Sequence, residues 1–272
     1  RRRALRGGSV MADTVFPYPG GKSRFASWIL DQVPEHTCFV EVFGGAAGVL
    51  ANKDPDMSTV EVYNDRDGDL VQFFEVLRDK SEELAAWLDR TPYSREIYDE
   101  WAHKFFHGYR PSDPIERAGQ FFYLRYTQWG ATYDSKAGFG TSKVRSQASS
   151  YANKVDRLDE FAERFGDVVV ENLDWADVFE KYDSEDTVFY CDPPYVGYED
   201  YYLVNTIDHE ALIDGLAGLE GDWICSYEDP PGTFEDVYML DRDEKRFINS
   251  GKRGSAKDAK ERLVMNFDPE CV

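Results

Sequence analysis

The segment Val188-Phe-Tyr-Cys-Asp-Pro-Pro-Tyr195 runs an apolar, β-favouring stretch into Asp192, Pro193, Pro194 and Tyr195. Proline has no N–H to give to a ladder, so a strand ends there, and its ring fixes φ. The residue before a proline is held extended as well. The result is a stiff tetrapeptide at the carboxyl end of a strand, the edge of an open α/β sheet where ligands bind. It presents one carboxylate, carbonyl oxygens without competing N–H groups, and one aromatic face. Those groups suit a flat nitrogen base that carries an exocyclic amine. Taken alone, the tetrapeptide also reads as a proline-rich turn with Asp192 as a helix cap.

Other segments fall where a second ligand would sit. Phe39-Val-Glu-Val-Phe43-Gly44-Gly45-Ala-Ala-Gly48 sets small residues where a strand turns towards a short helix. That spacing permits close backbone approach and offers a helix N-terminus, but it is not the dinucleotide GxGxxG pattern. Asp65 ends the next strand, where an acid accepts both hydroxyls of a ribose, with Asn64 beside it. Pro19-Gly-Gly-Lys22-Ser23 resembles the end of a phosphate loop, yet Phe16 stands where its first Gly belongs. Lys22 is instead placed to close over a carboxylate-bearing ligand. Asp174 and Trp175 end another strand, where an acid can meet an adenine amino group.

The elements that must hold these residues follow a βαβα start, which signals a parallel sheet with crossover helices. The expected elements are a helix at 20–32, strands at 38–43 and 59–64, and a helix at 67–78. Three helices follow, at 81–90, 94–107 and 114–128, then a loop or hairpin at 130–150 and a helix at 151–165. Strands resume at 168–171, 188–191, 223–227, 237–240 and 263–267. The economical fold is a doubly wound α/β sheet interrupted by a mostly helical insertion, about residues 80–164. Residues 1–10 read as leader sequence before a start at Met11.

The chain has 272 residues, 42% of them hydrophobic and 15% aromatic, enough for a sizeable core. No apolar run approaches the roughly 20 residues of a membrane span. Cys38, Cys191, Cys225 and Cys271 are widely spaced and read as free thiols rather than a zinc or disulfide framework. His103 and His107 lack the Glu of a zincin helix, so no metal is expected.

The net charge of −21 argues in bulk against nucleic acid as a partner, and fits a protein from a very salty, prokaryotic or viral cytoplasm. The distribution argues otherwise. Residues 135–155 contain no Asp or Glu and carry Lys136, Lys143, Arg145 and Lys154. Residues 242–262 are rich in Lys and Arg, among them Lys252 and Arg253. Both stretches are candidate phosphate contacts.

In order and in content these segments resemble the Dam-type DNA adenine-N6 methyltransferases, the D12 class or α-group. The resemblance runs from Phe16-Pro-Tyr18-Pro-Gly-Gly-Lys22 through Tyr63-Asn-Asp65 and Asp192–Tyr195 to Ile248–Gly254 and Glu261–Asn266. It implies a Rossmann-like class I methyltransferase sheet (11–79 and 165–272) and a target-recognition domain (80–164). It also implies S-adenosylmethionine as cofactor, touched or framed by Tyr18, Lys22, Asp65 and Asp192, and double-stranded DNA as substrate. Phe43, Gly44, Gly45 and Asp174 are the further cofactor candidates. The catalytic residues would be Asp192, Pro193, Pro194 and Tyr195, acting on an adenine flipped out of the duplex.

The chain departs from the family at Thr127-Gln-Trp-Gly-Ala-Thr-Tyr133, where members often carry Asn-Gly and then Arg, and at Pro17. The resemblance therefore does not carry GATC as the target. Gln128, Thr132, Lys143 and Arg145 become the candidate base-edge readers, and Trp129 a wedge or a core residue. The competing readings are an N4-cytosine methyltransferase and a catalytically silent DNA-binding module on the same fold.

Overall fold

The computed structural model describes residues 13–129, 133–197, 199–204, 206–232, 234–247 and 256–272. Seven strands form one sheet in the order β3-β2-β1-β4-β5-β7-β6. They are β1 (Cys38–Glu41), β2 (Val60–Asn64), β3 (Val169–Glu171), β4 (Thr187–Cys191), β5 (Asp222–Tyr227), β6 (Tyr238–Phe247) and β7 (Ala256–Met265). The first five are parallel, whereas β7 runs antiparallel between β5 and β6. After β1 the chain winds outward to β2 and β3, then returns to the other side of β1 for β4. The strand order thus reverses between β1 and β4, and at such a switch point the carboxyl ends leave a crevice for ligand.

Alternation along each strand feeds two cores, one on each face of the sheet. Phe39, Tyr63, Val188, Tyr190, Ile224 and Leu263 face the larger core. Val40, Val62, Phe189, Cys191, Trp223 and Val264 face the other, covered by α8 (Trp175–Tyr182) and α9 (His209–Ala217). All five residues of β4 are buried, as a central parallel strand requires.

The larger core is covered by α1 (Ala26–Leu30), α2 (Gly68–Asp79), α3 (Ser81–Asp89), α4 (Arg95–Phe106), α5 (Pro114–Thr127), α6 (Gln147–Val155) and α7 (Leu158–Phe165). The helices between β2 and β3 therefore share one apolar cluster with the sheet. Ion pairs fasten them as well. Arg164 on α7 forks the Glu61 carboxylate of β2 at 2.6 and 2.8 Å, and Arg110 and Arg117 both reach Asp69 of α2 at 2.7 Å. Bidentate, charge-assisted contacts of this kind fix orientation as well as distance.

Three expectations about elements need correction. The helix at 20–32 shrinks to Ala26–Leu30, because the Gly20-Gly21 turn and the residues after it fold as successive turns. The helix at 151–165 is two helices. Ser146 accepts the Ser149 N–H at 3.1 Å and starts α6 early, and the break at Asp156–Arg157 lets Leu158, Phe161 and Phe165 turn inward. The last strands extend well past their apolar ends into a charged hairpin. There Asp241 of β6 pairs with Lys260 and Arg262 of β7, and an edge hairpin tolerates such charge. Among the described residues, no helix is long and apolar enough to cross a membrane, and no group of three or more His, Cys, Asp or Glu could hold a metal.

Candidate active site

β4 delivers Asp192 to the switch point. Its side chain is 17% exposed, and the Lys22 ammonium holds Oδ1 at 2.7 Å. Lys22 arrives on the Pro-Gly-Gly turn, where Gly20 sits at φ +68°, a left-handed conformation that glycine adopts at little cost. The same Nζ donates to the Gly20 carbonyl at 3.1 Å, lies 4.8 Å from the Tyr195 ring centroid and stands 3.5 Å from Glu261 Oε1. The Tyr195 hydroxyl donates to Glu261, a fully buried residue of β7. Burial and the nearby Asp192 and Glu261 charges push the Tyr195 phenol well above its ordinary pKa, so it stays a donor. Both ends of the rigid tetrapeptide are therefore tied, Asp192 through Lys22 and Tyr195 through Glu261.

Beside Asp192 lies an open cleft that encloses about 870 Å³ of empty space, its mouth included. Tyr18, Lys22, Phe43, Gly44, Gly45, Asp65, Asp192 and Pro194 line it, together with Glu41, Asn64, Trp175 and Tyr202. The glycines of the turn are there for space. A Cβ on Gly44 would lie 2.2 Å from the Tyr63 ring, and one on Gly48 would lie 3.0 Å from the Lys22 and Ser23 amides. No α-helix follows this turn, only the 3-10 segment Leu50–Asn52. The expected helix N-terminus is not open to a ligand either. The Glu41 carboxyl takes the Val49 and Leu50 N–H groups at 3.2 and 3.1 Å.

The acids of the cavity are poised by burial. Desolvation pushes the Asp65 carboxyl up to about 7, with the Asp67 charge adding to it, while N–H bonds from Asp67, Gly45 and Arg66 oppose the rise. Asp65 Oδ2 accepts from Gly45 and Oδ1 from Asp67, each at 2.8 Å. A carboxylate has roughly four lone-pair sites, so beside these three donors Asp65 can still accept from a ligand. Burial likewise lifts Glu41 to about 8. A diol set against Asp65 would stabilise its charged form. These residues fit a nucleoside-bearing cofactor.

Other sequence candidates sit elsewhere. Asp174 caps α8 through the Ala176 N–H at 3.3 Å and pairs with Arg66 at 3.5 Å, and it is its neighbours Leu173 and Trp175 that line the cavity. Asn64 is at the wall, but its amide bonds Val42 and Leu173 backbone, at 2.8 to 3.2 Å, and pins three loops together. Gln128 is turned inward. It is buried, and its Nε2 donates to the Ser135 carbonyl at 3.0 Å, so it shapes the loop instead of presenting an edge to a base. Trp129 is 48% exposed and is not a core residue. Lys143 and Arg145 are exposed. Thr132, Lys252 and Arg253 lie outside the described residues.

Several basic side chains of the stretches 135–155 and 242–262 meet acids or rings in space. Lys136 pairs with Asp99 at 2.8 Å and Lys154 with Asp13 at 2.5 Å. Lys260 and Arg262 are taken by Asp241, and the Arg242 guanidinium lies over Phe25 and Trp28.

Sequence reasoning missed Glu41 and Glu261 as members of the site. Each had a signal. Glu41 interrupts the apolar run Phe-Val-Glu-Val-Phe, and Glu261 stands two and four residues before the core positions Leu263 and Met265.

A mixed sheet with a cleft at its switch point, an acid after β2 and a rigid carboxylate after β4 defines an α/β protein of the methyltransferase kind. The chain belongs to the D12 class N6 adenine-specific DNA methyltransferase family, whose model matches residues 18–228. It is 26% identical over 184 residues to a DNA adenine methylase of Vibrio cholerae serotype O1, covering 65% of this chain and 63% of that one. It is 21% identical over 185 residues to a Type II methyltransferase of Paramecium bursaria Chlorella virus NC1A, covering 66% of this chain and 68% of that one. A solved Streptococcus pyogenes chain titled conserved hypothetical protein aligns over 91% of this chain at 8% identity and a TM-score of 0.37.

Proposed function

We propose that this chain transfers a methyl group from S-adenosylmethionine to N6 of an adenine flipped out of duplex DNA. The observation that carries the reading is the Asp192 carboxylate, partly exposed and fixed by Lys22 at the wall of the cavity. S-adenosylmethionine, when bound, supplies an electrophilic methyl group. Tyr18, Phe43, Gly44, Gly45 and Asp65 would hold it, with Asp65 on the ribose hydroxyls.

The N6 lone pair of adenine is delocalised into the ring and attacks poorly. Asp192 and the Pro193 carbonyl each accept one N6–H bond, which draws the nitrogen towards tetrahedral geometry and frees that pair. The Asp192 charge also offsets positive charge growing on N6 in the transition state. Pro193 and Pro194 keep these acceptors from relaxing, and Tyr195 packs beside the base. The chain's contribution is thus mainly positioning and electrostatics.

N6 is hidden inside a duplex, so the base must leave the stack. Residues 80–164 are the segment we assign to target recognition. Among the described residues neither Lys143 nor Arg145 has an ion-pair partner, which supports them as phosphate contacts, and the exposure of Trp129 supports it as the wedge. Thr132, Lys252 and Arg253 remain proposed contacts on sequence grounds. The acidic surface supports a high-salt cytoplasm as the setting.

The test uses radiolabelled S-adenosylmethionine and duplex DNA from a methylation-free host. Asp192→Asn should lower kcat by at least about 100-fold while cofactor affinity stays within about threefold. Undiminished transfer by this variant would remove Asp192 from the mechanism. Mass spectrometry of the digested product should find N6-methyladenine, and N4-methylcytosine in its place would reassign the acceptor.

A further inference from the structure

We infer that Glu261, on β7 and outside the cavity, is a positioning residue that sets the Asp192–Tyr195 tetrapeptide through Lys22 and through the Tyr195 hydroxyl. The inference rests on the proposed methyl transfer and names a residue that the proposed chemistry does not itself require.

The alternation that sends Leu263 and Met265 into the larger core puts Glu261 on the same face, where it is fully buried. A buried carboxylate at an apolar position is costly unless its partners compensate it. Two are in view. Tyr195 donates its phenolic proton to Oε1, and the Lys22 ammonium stands 3.5 Å from the same oxygen. Lys22 in turn holds Asp192 Oδ1 at 2.7 Å. The Lys22 ammonium is therefore shared by two carboxylates.

That sharing bears on the chemistry. An ammonium bound to Asp192 alone would neutralise the carboxylate that must accept the N6–H bond and offset charge on N6. A second carboxylate on Lys22 competes for the same ammonium, so less of the Asp192 charge is neutralised. It also gives the ammonium a second anchor, so the Lys22 contact to Asp192 Oδ1 is held in place. Through Tyr195 the same residue fixes the other end of the tetrapeptide. One side chain on the antiparallel side of the sheet thus governs both ends of a loop that comes from its centre.

Glu261→Gln keeps the shape and an acceptor for Tyr195 but removes the charge. Steady-state methylation of duplex DNA should show kcat lower by about 10- to 100-fold and KM for S-adenosylmethionine within about threefold of wild type. A purely structural role would not give that split. The cycle with Lys22→Met separates the cases further. If Glu261 acts through Lys22, adding Glu261→Gln to Lys22→Met should cost less than about threefold, because the coupled partner has gone.

Losses that multiply in the double variant, or a Glu261→Gln enzyme within about threefold of wild type in kcat, would overturn the inference. Should Glu261→Gln fail to fold by thermal unfolding, Glu261→Asp, which keeps the charge but withdraws it, runs the same cycle under the same criterion. A wild-type chain that binds S-adenosylmethionine yet methylates no DNA would overturn the proposed function, and this inference with it. Active wild type with an indifferent Glu261 variant overturns the inference alone.

Discussion

Glu41 is a carboxylic acid buried on a central parallel strand, where among the described residues two backbone amides donate to it, and that makes its protonation a stability term. Burial lifts its pKa from 4.5 to about 8, and the Asp192 charge adds to the rise while Arg164 opposes it. A raised folded-state value means that the native chain holds the proton where the unfolded chain releases it. The associated stability is complete below the unfolded value and is lost as pH climbs through the folded one. The window is therefore about 4.5 to about 8, with a span on the order of 5 kcal/mol for a fully buried group. Glu41→Gln should cancel this dependence. Measured by denaturant unfolding at pH 5 and pH 8.5, its stability relative to wild type should improve with pH, over a constant offset from the lost acceptor. A difference that stays level across the range would mean that Glu41 is ionised in the folded chain.

Residue types of this kind are only half legible in a sequence. Asp192 and Asp65 stand out because prolines and strand ends mark their places. Gln128 does not reveal that its amide is turned into its own loop, because an amide serves a turn as readily as a base edge. Lys154 and Lys136 read as phosphate contacts because they fall in the acid-free stretch 135–155, whereas Asp13 and Asp99 meet them across the fold.

At the scale of elements, the site depends on two turns that touch. The Gly44–Gly48 turn and the Pro-Gly-Gly-Lys22 turn approach so closely that a methyl group at Gly48 would sit 3.0 Å from the Lys22 and Ser23 backbone nitrogens. The obstacle is backbone, which cannot swing away like a side-chain tip. Gly48→Ala should therefore move the Lys22 turn by a few tenths of an ångström and loosen the Lys22–Asp192 contact. Overpacking of this sort typically costs about 1–3 kcal/mol. The expected result is a lower melting temperature together with a kcat loss of about tenfold or more, since small displacements of positioning groups are amplified in rate. A variant that loses stability but keeps full kcat would show that the two turns are coupled only through packing.

The β-strands were readable because central parallel strands are apolar runs, and the parallel pairing with crossover helices followed from the βαβα pattern. The hairpin of β6 and β7 was not, because half of it is charged and its pairing is held by cross-strand ions such as Asp241 with Arg262. The expected helix after the Gly turn is absent for a related reason. A buried acid from the preceding strand supplies the acceptors that a helical turn would otherwise need, and periodicity cannot register it.

For the molecule as a whole, charge sets two salt dependences against each other. The chain carries 52 acidic and 31 basic residues. Many of the described cations are spent inside: Lys53 and Arg164 on Glu61, Arg110 and Arg117 on Asp69, Lys154 and Arg157 on Asp13. The surface that remains is dominated by acids whose mutual repulsion opposes the compact state. Salt relieves it, since the screening length falls from about 10 Å at 0.1 M to about 3 Å at 1 M. The melting temperature should therefore rise as KCl goes from about 0.1 to about 2 M. A flat or falling curve would reject the high-salt setting. DNA affinity moves the other way, losing close to one power of salt for each phosphate contact. Methylation rate should accordingly peak at an intermediate salt concentration. Lys143→Ala with Arg145→Ala should leave the rising limb, which reports folding, unchanged. The pair should flatten the falling limb, making the slope of log affinity against log salt shallower by about 2 whatever the DNA sequence. An unaltered slope would take those two residues off the phosphate backbone and leave the contact to the residues around Lys252 and Arg253.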